Sequence, residues 1–282
     1  MILNNKTSRF DLKNALALAK ASQLAYKNGE QIASIVDDEW HMKKFDFFED
    51  IDTHTQAFIC GDEDNVILTF RGTEANVIRD WLTDLQASFS YNPTGKVHSG
   101  FKRALNTIWS DVMIRIEQFL DNGQTFWVTG HSLGGALATL TVDRLLRKGF
   151  AVQGMYTFGQ PRTGNKKFSQ EFDRRFKHRS FRFVNNEDIV TRVPPRFLGY
   201  RHIGCVFYFD NDRYLHRGVG CWRNFLDPVT SIERRSQLRY DDLNQRFPGG
   251  ADDDGIARYI RNIRASIRRA HLPHSFVNHI NT

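Results

Sequence analysis

The sequence predicts an α/β fold in which a mostly parallel central sheet is flanked by helices, and three observations predict it. In the middle of the chain, β-prone runs alternate with segments of helical period. At residues 125–129 a β-run passes through a glycine-rich turn straight into a helical run. The 282 residues suffice to bury one large core, and chains of this class and size form a single domain, here expected over 1–282.

Taken in order, Leu12, Ala15, Leu16 and Ala19 recur at helical spacing behind Asp11, a residue suited to accept from the free N–H groups of a first turn. Residues 56–60 and 66–70 are β-rich and flank Gly-Asp-Glu-Asp-Asn, which reads as a hairpin. Over 101–120, Leu105, Ile108, Trp109, Val112, Ile116 and Phe119 mark one face of a helix that ends at Asn122-Gly123. The strand at 125–129 and the helix at 136–146 are followed by strands at 153–158 and 181–184, with a helix at 165–176 between them. Residues 210–254 hold Asp-Pro, Pro-Gly-Gly and Asp-Asp-Asp-Gly with no sustained period, and are expected to form an irregular insertion. Beyond them Ile256, Tyr259, Ile260, Ile263 and Ile267 make an apolar stripe, while Arg258, Arg261, Arg264, Arg268 and Arg269 stand mostly elsewhere on the same helix.

With 40% hydrophobic and 25% charged residues, the composition is that of a soluble globular protein and argues against disorder. The three cysteines, Cys60, Cys205 and Cys221, are odd in number and form no Cys-x-x-Cys pair, so reduced thiols are expected and zinc is not. Residues 1–20 lack the apolar core and cleavage site of a signal peptide. No run approaches the roughly 18 apolar residues of a membrane span. The expectation is a cytoplasmic protein, with secretion by another route left open. The formal charge of +7 favours anionic partners without choosing among them, and the absence of any reader motif or stacking platform argues against nucleic acid.

The chemistry concentrates in Gly130-His131-Ser132-Leu133-Gly134. A serine is a poor nucleophile unless it is held exposed on a tight turn beside a base, with N–H donors aimed at the developing oxyanion. Glycine two residues to either side allows that turn, and the helix behind it directs its positive end at the site. Ser132 is therefore the expected nucleophile and the Leu133 N–H one oxyanion donor.

The run from Val128 to Ala138 closely resembles the nucleophile elbow of the fungal-type, or class 3, lipases of the α/β-hydrolase superfamily. Phe70-Arg71-Gly72-Thr73 is similar to that family's oxyanion strand end, Val97-His98-Ser99-Gly100-Phe101 to its next marker, and Thr157-Phe158-Gly159-Gln160-Pro161 to the strand after the nucleophile helix. The resemblance spans roughly residues 57–204. It implies a second oxyanion donor at Thr73, supporting roles for His98 and His131, and an acid at Asp188, which follows the strand at 181–184 in Asn185-Asn186-Glu187-Asp188-Ile189-Val190. Chain order agrees, because nucleophile, acid and histidine succeed one another in this superfamily. Glu187 is the competing carboxylate.

For the base, His202, His271, His274 and His279 all follow the acid, with His216 as an outsider. His274-Ser275-Phe276-Val277 resembles the family's terminal histidine segment and makes His274 the expected base, although Pro273 stands where the family carries aspartate. Between Thr73 and Pro93, Val77, Ile78, Trp81, Leu82, Leu85 and Phe89 fall at helical steps, where such lipases begin their lid. The implied activity is hydrolysis of lipid or other carboxylic esters through an acyl-enzyme, with no cofactor or metal. Peripheral contact with lipid surfaces is compatible with the basic helix. Phospholipase A1-type hydrolysis or acyl transfer on the same triad, and a catalytically silent hydrolase-fold binding protein, are the alternatives.

Overall fold

The computed structural model describes residues 1–73, 88–186, 188, 190–218 and 253–270. The first helix, α1 (Leu12–Leu24), is capped by Asp11, whose carboxylate accepts from the N–H groups of Lys13 and Asn14. Asn28 caps α2 (Gly29–Asp38) in the same manner. Three antiparallel strands follow, β1 (Lys44–Asp50), β2 (Thr55–Gly61) and β3 (Asn65–Phe70). In the β2–β3 turn the Asp62 carboxylate accepts from the N–H groups of Asp64 and Asn65, which fixes the expected hairpin. A second hairpin, β4 (Phe89–Asn92) and β5 (Gly95–His98), leads into α3 (Ser99–Phe119). The chain then alternates through β6 (Thr125–His131), α4 (Leu133–Arg147), β7 (Gly154–Phe158), β8 (Gly164–Asn165), α5 (Lys166–Phe176) and β9 (Ser180–Asn185). After β10 (Tyr200–Arg201), β11 (Cys205–Phe209) and β12 (Leu215–Arg217), the last described element is α6 (Asp253–Ala270).

The main sheet has eight strands in the order β1-β2-β3-β6-β7-β9-β11-β12. Its middle five, β3, β6, β7, β9 and β11, are mutually parallel, and antiparallel strands close both edges. A parallel sheet needs cover on both faces, and the side-chain alternation provides for it. Val66, Leu68, Phe70, Phe126 and Val128 cluster with residues of α3, α4 and α5. Their neighbours Ile67 and Trp127, with Phe181 and Phe183 of β9, cluster with residues of α1, α2 and α6. Small side chains, Ala15, Ala19 and Ser22, let α1 lie close on β6, where the Ser22 and Thr129 hydroxyls meet at 3.0 Å.

Several elements differ from expectation. The sequence pattern did not single out α2, β1, the β4–β5 hairpin or β11. Phe89, read with the helical stripe, lies in β4 instead. Within the stretch expected to be irregular, β12 forms at Leu215–Arg217 and α6 starts at Asp253, while residues 219–252 lie outside the described residues. So do the lid candidates Val77, Ile78, Trp81, Leu82 and Leu85. No helix among the described residues is long and apolar enough to cross a membrane.

Asp143 on α4 ties three elements together. Fully buried, it accepts from Asn92 and Thr94 of the β4–β5 hairpin, from Arg147 one turn on, and from Arg175 of α5 at 2.7 Å. Its removal strands two guanidinium groups. Asp143→Ala is expected to destabilise the fold by about 3–5 kcal/mol in urea unfolding. Asp37→Ala, which removes an exposed partner of Lys43, should leave the midpoint unchanged within error.

Candidate active site

The corner at Ser132 is built by what its neighbours lack. Ser132 has φ 53° and ψ −126°, a conformation few non-glycine residues adopt and one that stores backbone strain. Two backbone hydrogen bonds hold it there: the Ser132 N–H donates to Phe158 O at 2.9 Å, and the Gly135 N–H donates to Ser132 O at 2.9 Å. A Cβ on Gly130 would stand 2.4 Å from the Gly134 carbonyl, and one on Gly134 only 2.2 Å from Phe70 O. Glycine at both positions therefore lets the elbow fold on itself and lets the end of β3 pass directly against the start of α4. The Ser132 hydroxyl is buried and, among the described residues, has no hydrogen-bond partner.

That close passage carries the chain from Phe70 to Thr73 beside the elbow. A Cβ on Gly72 would fall 2.1 Å from the Tyr26 hydroxyl and 2.7 Å from His131 O, so only glycine fits there. Thr73 is half-buried at the end of this segment. Leu133 is the first residue of α4, and first-turn N–H groups have no intrahelical acceptor. Ser132, Leu133, Thr73 and Asp188 thus gather beyond the carboxyl ends of β3, β6 and β9, where open α/β sheets bind their ligands.

Asp188 lies three residues beyond β9, its N–H donating to Asn185 O. Its Oδ1 accepts from the Val190 N–H at 3.0 Å, and its Oδ2 accepts from the Tyr259 hydroxyl at 2.5 Å. A Cβ on Gly159 would come 2.6 Å from Oδ2, so the acid sits against the residue that follows the acceptor of the Ser132 N–H. Burial raises the Asp188 carboxyl above its ordinary range, opposed by the bonds from Tyr259 and Val190 and by the charges of Arg258 and Arg192. Glu187 lies outside the described residues, as do His271, His274 and His279.

Each of the other candidate histidines has structural work. His98 caps α3, its Nδ1 accepting from the Phe101 N–H, and stacks on Phe101; burial lowers it to about 4. His131 meets the Tyr26 hydroxyl through Nδ1 at 2.7 Å, and burial with the Arg258 charge lowers it to about 3. His202 donates from Nε2 to Thr191 O at 2.8 Å, bracing the segment after the acid, and burial holds it well below its usual range. His216 meets Asp210 at 2.6 Å on the β11–β12 hairpin. Sequence reasoning missed Tyr26 and Tyr259. Tyr259 stood in an apolar stripe, and nothing in that spacing tells a core ring from one whose hydroxyl reaches a carboxylate. Among the described residues, no group of three or more His, Cys, Asp or Glu side chains could hold a metal ion.

Comparison with known proteins places these features in context. Residues 67–198 match the family model described as Lipase (class 3). The chain is 30% identical over 247 residues to triacylglycerol lipase OBL1 of Arabidopsis thaliana, covering 67% of this chain and 48% of that protein. It is 34% identical over 154 residues to secreted mono- and diacylglycerol lipase 1 of Fusarium solani, covering 51% of this chain and 44% of the relative. The chain thus spans about half the length of the curated relatives it matches. Among solved structures it is similar to the lipase from Rhizopus microsporus var. chinensis, with TM-score 0.58 and 30% identity over 70% of this chain and 74% of that one. It is also similar to a triacylglycerol lipase whose catalytic centre is a serine protease triad, with TM-score 0.63 and 26% identity over 77% of this chain and 89% of that one.

The buried acid has a consequence for stability. A carboxyl whose folded pKa is raised binds its proton more tightly in the native state, so its contribution to stability is greatest below the unfolded value and is lost as pH rises through the folded one. Asp188→Asn never acquires that charge. The melting temperature of the variant relative to wild type is therefore expected to climb between pH 4 and pH 7; a difference that falls over this range would contradict the burial cost.

Proposed function

The chain belongs to the class 3 lipase family, and on that footing we propose that it hydrolyses carboxylic ester bonds of lipids through an acyl-enzyme on Ser132. The observation that carries the reading is Ser132 at φ 53° on the strand-to-helix corner, with Asp188 packed beside the same turn. The Ser132 hydroxyl gives its proton to a histidine and attacks the ester carbonyl carbon. Negative charge collects on the carbonyl oxygen, where the N–H groups of Leu133 and Thr73, with the Thr73 hydroxyl, receive it. Collapse breaks the bond to the alcohol, which leaves with the histidine's proton, and water then frees the acid by the same steps in reverse. Asp188 orients the imidazole and stabilises its charged form. His274 is the proposed base, supported by its order after Asp188 and by the engagement of His98, His131 and His202 elsewhere. The names of the relatives support glycerides as the substrate class.

Residues 77–85 are proposed as the lid, supported by their Trp-Leu-rich spacing, and α6 as a contact for anionic lipid surfaces. Five arginines, Arg258, Arg261, Arg264, Arg268 and Arg269, stand exposed on α6, and no acidic residue intervenes between Gly255 and Ala270. A cytoplasmic location is proposed as well, supported by Cys60 and Cys205, which are free thiols among the described residues, and cell fractionation checks it.

Wild type is expected to react with a fluorophosphonate probe, Ser132→Ala to lose labelling completely, and His274→Ala to lose at least ~10³-fold in ester turnover while folding normally. A His274→Ala variant that retains turnover would move the base to His271 or His279. For the surface, the triple variant Arg261→Gln, Arg264→Gln and Arg268→Gln should bind phosphatidylserine vesicles on the order of 100-fold more weakly. Wild type should hydrolyse a short-chain ester faster once the ester exceeds its solubility limit. Unchanged vesicle binding defeats the surface assignment, and a smooth rate curve defeats the lid.

A further inference from the structure

Tyr259 lies on α6, far along the chain from both Ser132 and Asp188, yet its hydroxyl ends on the acid. It donates to Asp188 Oδ2 at 2.5 Å and accepts from the Asn185 N–H at 3.0 Å. A phenol has one hydrogen to donate. With the Asn185 N–H occupying the acceptor side, that hydrogen is directed to the carboxylate. The ring has no room to turn away: it is 1% exposed and packs edgewise on Phe158 at 5.9 Å and on His131 at 6.1 Å. The helix that bears it is fixed to the same strand end, because the Asn262 side chain donates to Asn185 Oδ1 at 3.0 Å. It also docks closely at its start, where a Cβ on Gly255 would come 3.1 Å from the His131 ring.

We infer that Tyr259 is a positioning residue for the catalytic acid: its hydroxyl fixes Oδ2 of Asp188 while the Val190 N–H fixes Oδ1, so that the carboxylate turns a defined free edge to the base. The inference rests on the hydrolase reading and adds to it a residue outside the nucleophile, acid and base. Its physical basis is the cost of a buried negative charge, which is relieved by each hydrogen bond donated to it. Among the described residues, the groups facing Asp188 are Tyr259 and Arg258 of α6, Arg192 of the 3₁₀ turn Val190–Arg192, and His131 of β6. His131, lowered to about 3 by burial, stays neutral across the working range. The Tyr259 phenol is itself held well above its ordinary value by burial, so the proton remains on tyrosine and the charge on aspartate.

Removal of the hydroxyl moves the acid limb of the activity profile in one direction by two routes. A carboxylate with one donor fewer ionises at higher pH, and once ionised it holds the imidazolium more tightly; each shifts the limb upward, and the pair titrates together. In the full chain, Tyr259→Phe is expected to lower kcat on a soluble p-nitrophenyl ester about tenfold at neutral pH with KM unchanged. The acid limb of kcat/KM should shift up by about half a pH unit or more, with part of the loss recovered at high pH. 3-Fluorotyrosine incorporated at position 259, a stronger donor of nearly the same shape, should move the limb downward and tests the role even if the phenylalanine variant folds poorly. Profiles that superimpose on wild type, or a uniform loss at every pH, overturn the inference while leaving the hydrolase reading intact. A wild-type chain that neither turns over esters nor labels with a fluorophosphonate overturns both.

Discussion

The active corner depends on one steric constraint: β6 must end and α4 must begin with a single residue between them, while β3 ends against the same turn. With Gly134 only 2.2 Å from Phe70 O by its absent Cβ, and Gly130 equally tight against Gly134, no side chain fits at either position. The strain at Ser132 is the counterpart of that closeness. It is held by the bond to Phe158 O and by the parallel register that sets Phe70 opposite Gly130 and His131 opposite Phe158. The segment from Phe70 to Thr73 and the Ser132 corner are thus parts of one packing arrangement, and a change that loosened one would displace the other.

The acid side is arranged on different physics. Asp188 is buried, which disfavours its charge, and the fold compensates with a backbone N–H, a tyrosine hydroxyl and two arginines rather than with solvent. A carboxylate so placed costs stability at neutral pH and in return is held in one orientation by the Val190 N–H and the Tyr259 hydroxyl. It also ties α6, whose apolar stripe packs into the core beside α1, to Asp188 through the Tyr259 hydroxyl.

The legible parts of the sequence were those governed by local rules. Asp11 as a cap, the Asp62 turn, the helical face of α3 and the strand-turn-helix order at Ser132 all follow from spacing within a few residues, and all appear as expected apart from shifts of one to three residues at their ends. The α2 helix is only ten residues long, with two buried side chains, Ile32 and Val36, to signal it. The β4–β5 hairpin pairs Phe89 with His98 across a turn that spacing does not reveal. The Tyr259 contact spans 71 positions, and such pairings are set by tertiary packing alone. Fold class and the strand-turn-helix corner at Ser132 were therefore open to sequence reasoning, while the support around Asp188 was not.

The central claim, that Ser132 becomes acylated during turnover, is tested most directly by rapid acid quenching during reaction with a p-nitrophenyl ester, followed by mass mapping of the peptide that holds residues 130–134. The expected result is a burst of p-nitrophenol matched by one acyl group on Ser132. Turnover without an acyl adduct on that peptide, or with the adduct on another residue, would contradict it.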